Sequence, residues 1–174
     1  MKRKINVWEY AGTILEKVGK GVLLTTKADD RVNTMVIGWG VLGIEWGKPI
    51  FNVYVRESRY TKELLDKNPE FTVNIPLGEI DKDILRVCGS KSGRDMDKFA
   101  VLGLTAEAGE TVSVPAIREL PLTLECKVIY RQDQDPAAIN AENTARYYPP
   151  FFPDGRADYH TVYYGQIADA YIVE

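Results

Sequence analysis

The sequence predicts a mainly β protein, an antiparallel sheet closed into a barrel with short helices at its periphery. Two observations support this. Six or more strand-like runs follow one another in hairpin-length steps, with only short helical patterns between them. No G-x-G-x-x-G follows the first strand, which weighs against a doubly wound parallel sheet.

Each element has its own signal. Val7, Tyr10, Ala11, Ile14, Leu15 and Val18 recur at helical spacing and predict a short amphipathic helix over 7–18, closed near Gly19. A strand from Gly21 to Thr26 runs into a polar turn at Ala28-Asp29-Asp30. A β-rich stretch follows from Val32 to Ile44, with glycines at 38, 40 and 43 that suggest bends or bulges. Between Pro49 and Val55, Phe51, Val53 and Val55 alternate with Ile50, Asn52 and Tyr54, as a two-faced strand requires.

Ser58 to Lys67 is expected to be a helix ended by Asn68-Pro69. Phe71–Ile75 follows as a strand and Leu77–Val87 as a helix. Leu122 to Arg131 alternates, with Leu122, Leu124, Cys126, Val128 and Tyr130 on one face. Thr161 to Val173 is apolar on both faces and should be a central strand.

At 174 residues, the chain is expected to form a single domain over 1–174 that buries roughly two-thirds of its unfolded surface. A net charge of -3 argues against nucleic acid or an anionic membrane as the main partner. The two cysteines, Cys88 and Cys126, and the single histidine form no metal-binding spacing. Cys88 and Cys126 are expected to be unreactive packing thiols. The basic N-terminus lacks a signal peptide's apolar run, and no segment is apolar over 18 residues, so a cytoplasmic protein is expected.

Two local clusters stand out against this acidic background. Arg56-Glu-Ser-Arg-Tyr-Thr61 and Cys88-Gly-Ser-Lys-Ser-Gly-Arg-Asp-Met-Asp-Lys-Phe99 combine guanidinium groups, hydroxyls and glycines. This is the donor chemistry of a phosphate cage. With Ser58 as N-cap, the first-turn N–H groups of the next helix would face such an anion. The alternative is a solvated turn whose arginines pair with Glu57 or Glu63, followed by a surface loop with internal Arg–Asp pairs. Composition does not say which phosphate is held.

In order, Gly21-Val-Leu-Leu-Thr-Thr, Asn33-Thr-Met-Val-Ile-Gly-Trp-Gly, Val55-Arg-Glu-Ser-Arg-Tyr-Thr, Val73-Asn-Ile-Pro, the 88–99 stretch and His160-Thr-Val-Tyr-Tyr-Gly-Gln-Ile resemble the flavin reductase-like, FMN-binding split-barrel family. The flavoredoxin branch is the most similar. The resemblance runs from about residue 20 to the C-terminus and implies an antiparallel split β-barrel with Greek-key character. It implies that Asn33, Thr34 and Met35 face the isoalloxazine ring. Arg56, Ser58, Arg59 and Thr61 match the phosphate side. Ser92, Gly93, Arg94 and Lys98 match a loop against the flavin. His160 matches a histidine near flavin or nicotinamide, where it would orient one of them, unless it is structural.

The implied function is an FMN-binding oxidoreductase, an NAD(P)H-dependent flavin reductase passing electrons to a flavin or protein acceptor. Alternatives are a flavoredoxin-like electron carrier reduced by a partner protein, and a non-catalytic FMN-binding module. Members of the family are typically homodimers with FMN at the interface. This sequence departs from the pattern at Val36, where many members carry a hydroxyl, so one flavin hydrogen bond is expected to be missing. It also departs at 133–159, which holds Tyr147, Tyr148, Phe151 and Phe152 among prolines. That segment is either a lid or nicotinamide platform, or packing against the barrel or a partner subunit. Trp39 and Trp46 are expected in core or interface packing, with flavin contact as the alternative.

Overall fold

A computed structural model describes residues 1–174. The chain opens with β1 (Lys2–Lys4), a 3-10 turn at Val7–Tyr10 and α1 (Ala11–Val18), so the predicted first helix is divided near Tyr10. Then follow β2 (Val22–Ala28), β3 (Arg31–Ile37), β4 (Gly40–Glu45), β5 (Lys48–Arg56), α2 (Tyr60–Lys67), β6 (Glu70–Ile75), α3 (Lys82–Ser90) and α4 (Lys98–Leu102). A small ribbon, β7 (Ala106–Glu107) with β8 (Ala116–Ile117), precedes β9 (Leu122–Asp133), α5 (Ala141–Tyr147) and β10 (His160–Val173).

The main sheet has the order β3-β2-β6-β9-β10-β5-β4, with β1 also paired to β10, and every pairing is antiparallel. Its two edges, β3 and β4, do not pair, yet only Gly38 and Trp39 separate them in the chain. The sheet therefore curls into a barrel split between those strands. β9 and β10 sit between β5 and β6, which is the Greek-key character of the fold. As expected, β10 is central.

The curl has identifiable causes. Register shifts between β10 and β9 fall at Tyr164/Gly165 and Ile167/Asp169, where bulges bend the strands. A Cβ at Gly165 would fall on the Phe71 ring and lie 2.9 Å from Cys126 Cβ, so glycine lets Phe71 pack across the strand. The first bulge also corrects the predicted β9 face. Leu122, Leu124 and Cys126 are buried in the barrel core with Phe51, Val53, Phe71 and Tyr163, but Tyr130, beyond unpaired Ile129, is exposed.

Helix starts are the other correction. The Asp81 carboxylate accepts from the Asp83 N–H, so α3 begins at Lys82 and runs to Ser90. Cys88–Ser90 are consequently helical, and of the two glycines expected in the polar loop only Gly93 lies there. Arg59, not Ser58, occupies the N-cap position of α2, because Ser58 is engaged elsewhere. α3 covers β2 and β3 from outside through a second apolar cluster that includes Leu23, Ile84, Cys88 and Leu120. This places the 91–97 loop beside the start of α2.

Candidate functional site

β3, the N-terminus of α2, the loop after α3 and the first residue of β10 converge at one end of the split. They enclose two adjoining cavities with Met35 and Arg59 in both walls. One, of about 130 Å³, is polar and lined by Asn33, Ser58, Thr61, Ser92, Gly93, Arg94 and Lys98 among others. The other, of about 180 Å³, is walled by Trp39, Tyr54, Arg56 and His160. Residues 33 and 160 are thus brought together from opposite ends of the sequence. Thr34 alone among the expected residues turns away. Its hydroxyl donates to the Leu24 carbonyl inside the barrel, and only its own carbonyl faces the site, where Lys98 Nζ donates to it at 2.8 Å.

The three arginines fill three different roles. Arg56 donates to the carbonyls of Asp158 (2.6 Å) and Tyr147 (3.0 Å), tying the 133–159 segment to the barrel. Arg94 pairs with Glu63 and donates to the Ser58 carbonyl at 3.1 Å, tying the loop to α2. The Arg59 guanidinium makes no hydrogen bond or ion pair within the chain and lies in the walls of both cavities. Ser58 donates through its N–H and hydroxyl to the Asp158 carboxylate, at 3.0 and 2.6 Å.

Close packing and burial define the rest. Asn33 Nδ2 donates to Thr61 Oγ1 at 3.0 Å, while its Oδ1 is buried without a partner. A Cβ at position 93 would fall on that oxygen and lie 2.7 Å from Asn33 Cγ and 3.0 Å from the Tyr60 ring. Only glycine lets the loop backbone come this close. Burial pulls the Lys98 ammonium below its usual pKa, and the Arg59 charge acts in the same direction. Burial, followed by the Arg56 charge, brings His160 down to about 4. It is therefore neutral near pH 7.

Val36 lines the aromatic cavity and offers no hydrogen bond there. Trp39 also lines that cavity, 5.1 Å from the His160 ring and edge-on to Tyr147 at 5.2 Å. The 133–159 segment packs on the barrel end, burying Tyr148 and Asp158. Lys91, with no side-chain partner, joins the polar cavity, although sequence reasoning did not single it out. Gln134 and Asp158 were also missed, and Tyr148 was singled out only as part of the aromatic segment. They lie in a stretch without periodicity, and only the composition of the aromatic segment hinted at them.

A cation-rich pocket with hydroxyls and a close-approach glycine suits a phosphate. The adjoining aromatic cavity suits a flat ring. The donor set therefore fits a phosphorylated planar ligand such as a flavin mononucleotide.

A family model for the flavin reductase like domain matches residues 17–174. An uncharacterised protein of Escherichia coli K12, YddH, is 30% identical over 132 residues, which cover 74% of this chain and 69% of that protein. An uncharacterised protein of Archaeoglobus fulgidus is 33% identical over 100 residues, and the match spans 55% of its length. Among solved structures, flavoredoxin of Desulfovibrio vulgaris (Miyazaki F) superposes with a TM-score of 0.66 at 27% identity, over 88% of this chain and 69% of that one. The NADH:FAD oxidoreductase SgcE6 of Streptomyces globisporus shares the fold, with a TM-score of 0.61 at 16% identity over 88% of this chain and 75% of that one.

Proposed function

The chain belongs to the flavin reductase-like domain family, and on that premise we propose that it is an FMN-binding oxidoreductase, an NAD(P)H-dependent flavin reductase. The observation that carries this reading is the Arg59 guanidinium, unpartnered in the wall common to a polar and an aromatic cavity. In this reading Arg59 and Lys91, with the first-turn N–H groups of α2, neutralise the phosphate. Gly93 keeps the loop against Asn33, and Met35, Trp39 and Tyr54 bound the ring. FMN, when bound, supplies the redox chemistry. The chain's contribution is binding, orientation and exclusion of water, because hydride transfer from a nicotinamide needs no protein acid or base. A neutral His160 accordingly orients a ligand edge and does not shuttle protons.

The same proposal includes a homodimer built from residues 1–174 as one unit, acting in the cytoplasm. Strand β4 is a sheet edge that, with the turn after it, exposes Val41, Ile44 and Trp46. Trp46 lies against exposed Tyr130, which leans on Tyr164. An unpaired apolar edge of this kind is what a second copy would cover.

Anaerobic reduction tests the reading. The protein is loaded with FMN, freed of excess, and mixed with NADH or NADPH while the visible flavin band is followed. Rapid bleaching is expected. A bound flavin that stays oxidised would overturn the reductase and leave an electron carrier reduced by a partner protein, as the likeness to flavoredoxin favours.

A further inference from the structure

The backbone N–H of His160 lies 3.1 Å from a terminal atom of the Gln134 side chain. A peptide N–H can only donate, so that atom is the amide oxygen, Oε1, and the orientation of the amide follows. The Tyr148 hydroxyl lies 2.8 Å from the same Oε1. An amide oxygen only accepts, so Tyr148 is the donor and its single proton points at Gln134. The same hydroxyl lies 2.9 Å from His160 Nδ1. With the tyrosine proton engaged, only a proton on Nδ1 makes that contact favourable. Each assignment follows from the obligate donor before it.

The pieces are held in place. Tyr148 is buried, its ring stacked on Tyr159 at 4.9 Å, with the Arg56 guanidinium 5.3 Å from its centre on the same ring. Gln134 follows directly on β9, and its own N–H donates to the His160 carbonyl at 3.0 Å. A neutral imidazole carries one proton. With that proton on Nδ1, Nε2 holds a lone pair and makes no hydrogen bond within the chain, at a residue lining the aromatic cavity.

We propose that Gln134 and Tyr148 are positioning residues that lock His160 as its Nδ1–H tautomer, so that Nε2 presents a hydrogen-bond acceptor to an amide-type N–H of the ligand. The tautomer rests on this chain's geometry alone. The identity of the donor rests on the flavin reading, in which two sources are available: the imide N–H of the isoalloxazine or the carboxamide of a nicotinamide. A donor or cation in place of Nε2 would repel either one.

The chain has one histidine, so imidazole ¹⁵N chemical shifts report this residue without ambiguity. In FMN-free protein at pH 7, a long-range ¹H–¹⁵N correlation spectrum should show Nδ1 protonated and Nε2 unprotonated. An Nε2–H tautomer would overturn the proposal. In Gln134→Leu the tyrosine proton is released to turn toward Nδ1, and the Nε2–H form should become the major one. Gln134→Glu keeps an acceptor and should retain the wild-type tautomer. A folded Leu variant that stays Nδ1–H would overturn the relay, and if that variant fails to fold, Tyr148→Phe, which removes the hydroxyl 2.9 Å from Nδ1, should lose the Nδ1–H preference, its retention overturning the relay instead.

Adding FMN should shift the Nε2 resonance if the imide is the donor. A shift that appears only when NAD⁺ joins bound FMN would assign the carboxamide. Binding of both without any shift would overturn the ligand half of the proposal. Absence of FMN binding, read separately by flavin fluorescence, would sink the flavin reading and leave the tautomer result standing.

Discussion

Acid should destabilise this protein through His160 well before its carboxylates protonate. The imidazole is buried beside Arg56 and Arg59, with only Asp158 acting the other way, and its pKa falls from 6.5 to about 4. The unfolded chain therefore binds a proton between those values that the folded chain refuses, and stability falls as pH drops through the window. A shift of about 2.5 units corresponds to about 3 kcal/mol at full development, of which about 2 kcal/mol is lost between pH 7 and 5. Asp66 and Glu125, both held below their ordinary carboxylate values of 3.8 and 4.5, add a loss of the same sign only at lower pH. Urea denaturation of the wild type and His160→Gln at pH 7, 6 and 5 isolates the effect. The wild type should lose about 2 kcal/mol more than the variant across that range. Parallel curves would mean that His160 titrates in the folded protein as it does in water, refuting the burial argument.

Other consequences follow from single contacts. Gly93→Ala places a methyl group on Asn33 Oδ1 and should cost about 1–3 kcal/mol of stability. It should also weaken FMN binding by roughly 10-fold or more, read by flavin fluorescence; unchanged affinity would move the ligand away from this loop. Ile44→Glu, at a position 70% exposed on the sheet edge, should leave the subunit folded while converting a dimer to monomer in sedimentation, with any loss of urea stability limited to what the dimer contact contributed. A variant that sediments as the wild type does would place the subunit contact elsewhere. Cys88 and Cys126 are buried, and burial raises both thiol pKa values. A thiol reagent at neutral pH should modify them only upon unfolding, and fast labelling of the folded protein would contradict their placement.

The strands were legible because each carries a local signal. Phe51, Val53 and Val55 alternate and are all fully buried, and the two phosphate-type clusters do meet in one cavity wall. What was illegible depends on partners distant in sequence. Nothing near Ser58 reveals that Asp158 engages it, and nothing near Tyr130 announces the bulge that turns it outward. The three arginines look equivalent in the chain. Carbonyls from the 133–159 segment and the Glu63 carboxylate occupy two of them. That selection among identical side chains is purely three-dimensional. The same holds for the Gln134–Tyr148–His160 relay, whose members share no spacing rule.

The central claim is that this end of the split binds a flavin through its phosphate, with Arg59 as the free cation. Affinities of FMN and riboflavin for the wild type and Arg59→Ala test it most directly, since the two ligands differ only in the phosphate. A lost charge-assisted contact of about 1.5–3 kcal/mol corresponds to roughly 10- to 150-fold. FMN affinity should fall by that factor, with little change for riboflavin. Equal loss for both ligands, or none for either, would contradict that claim.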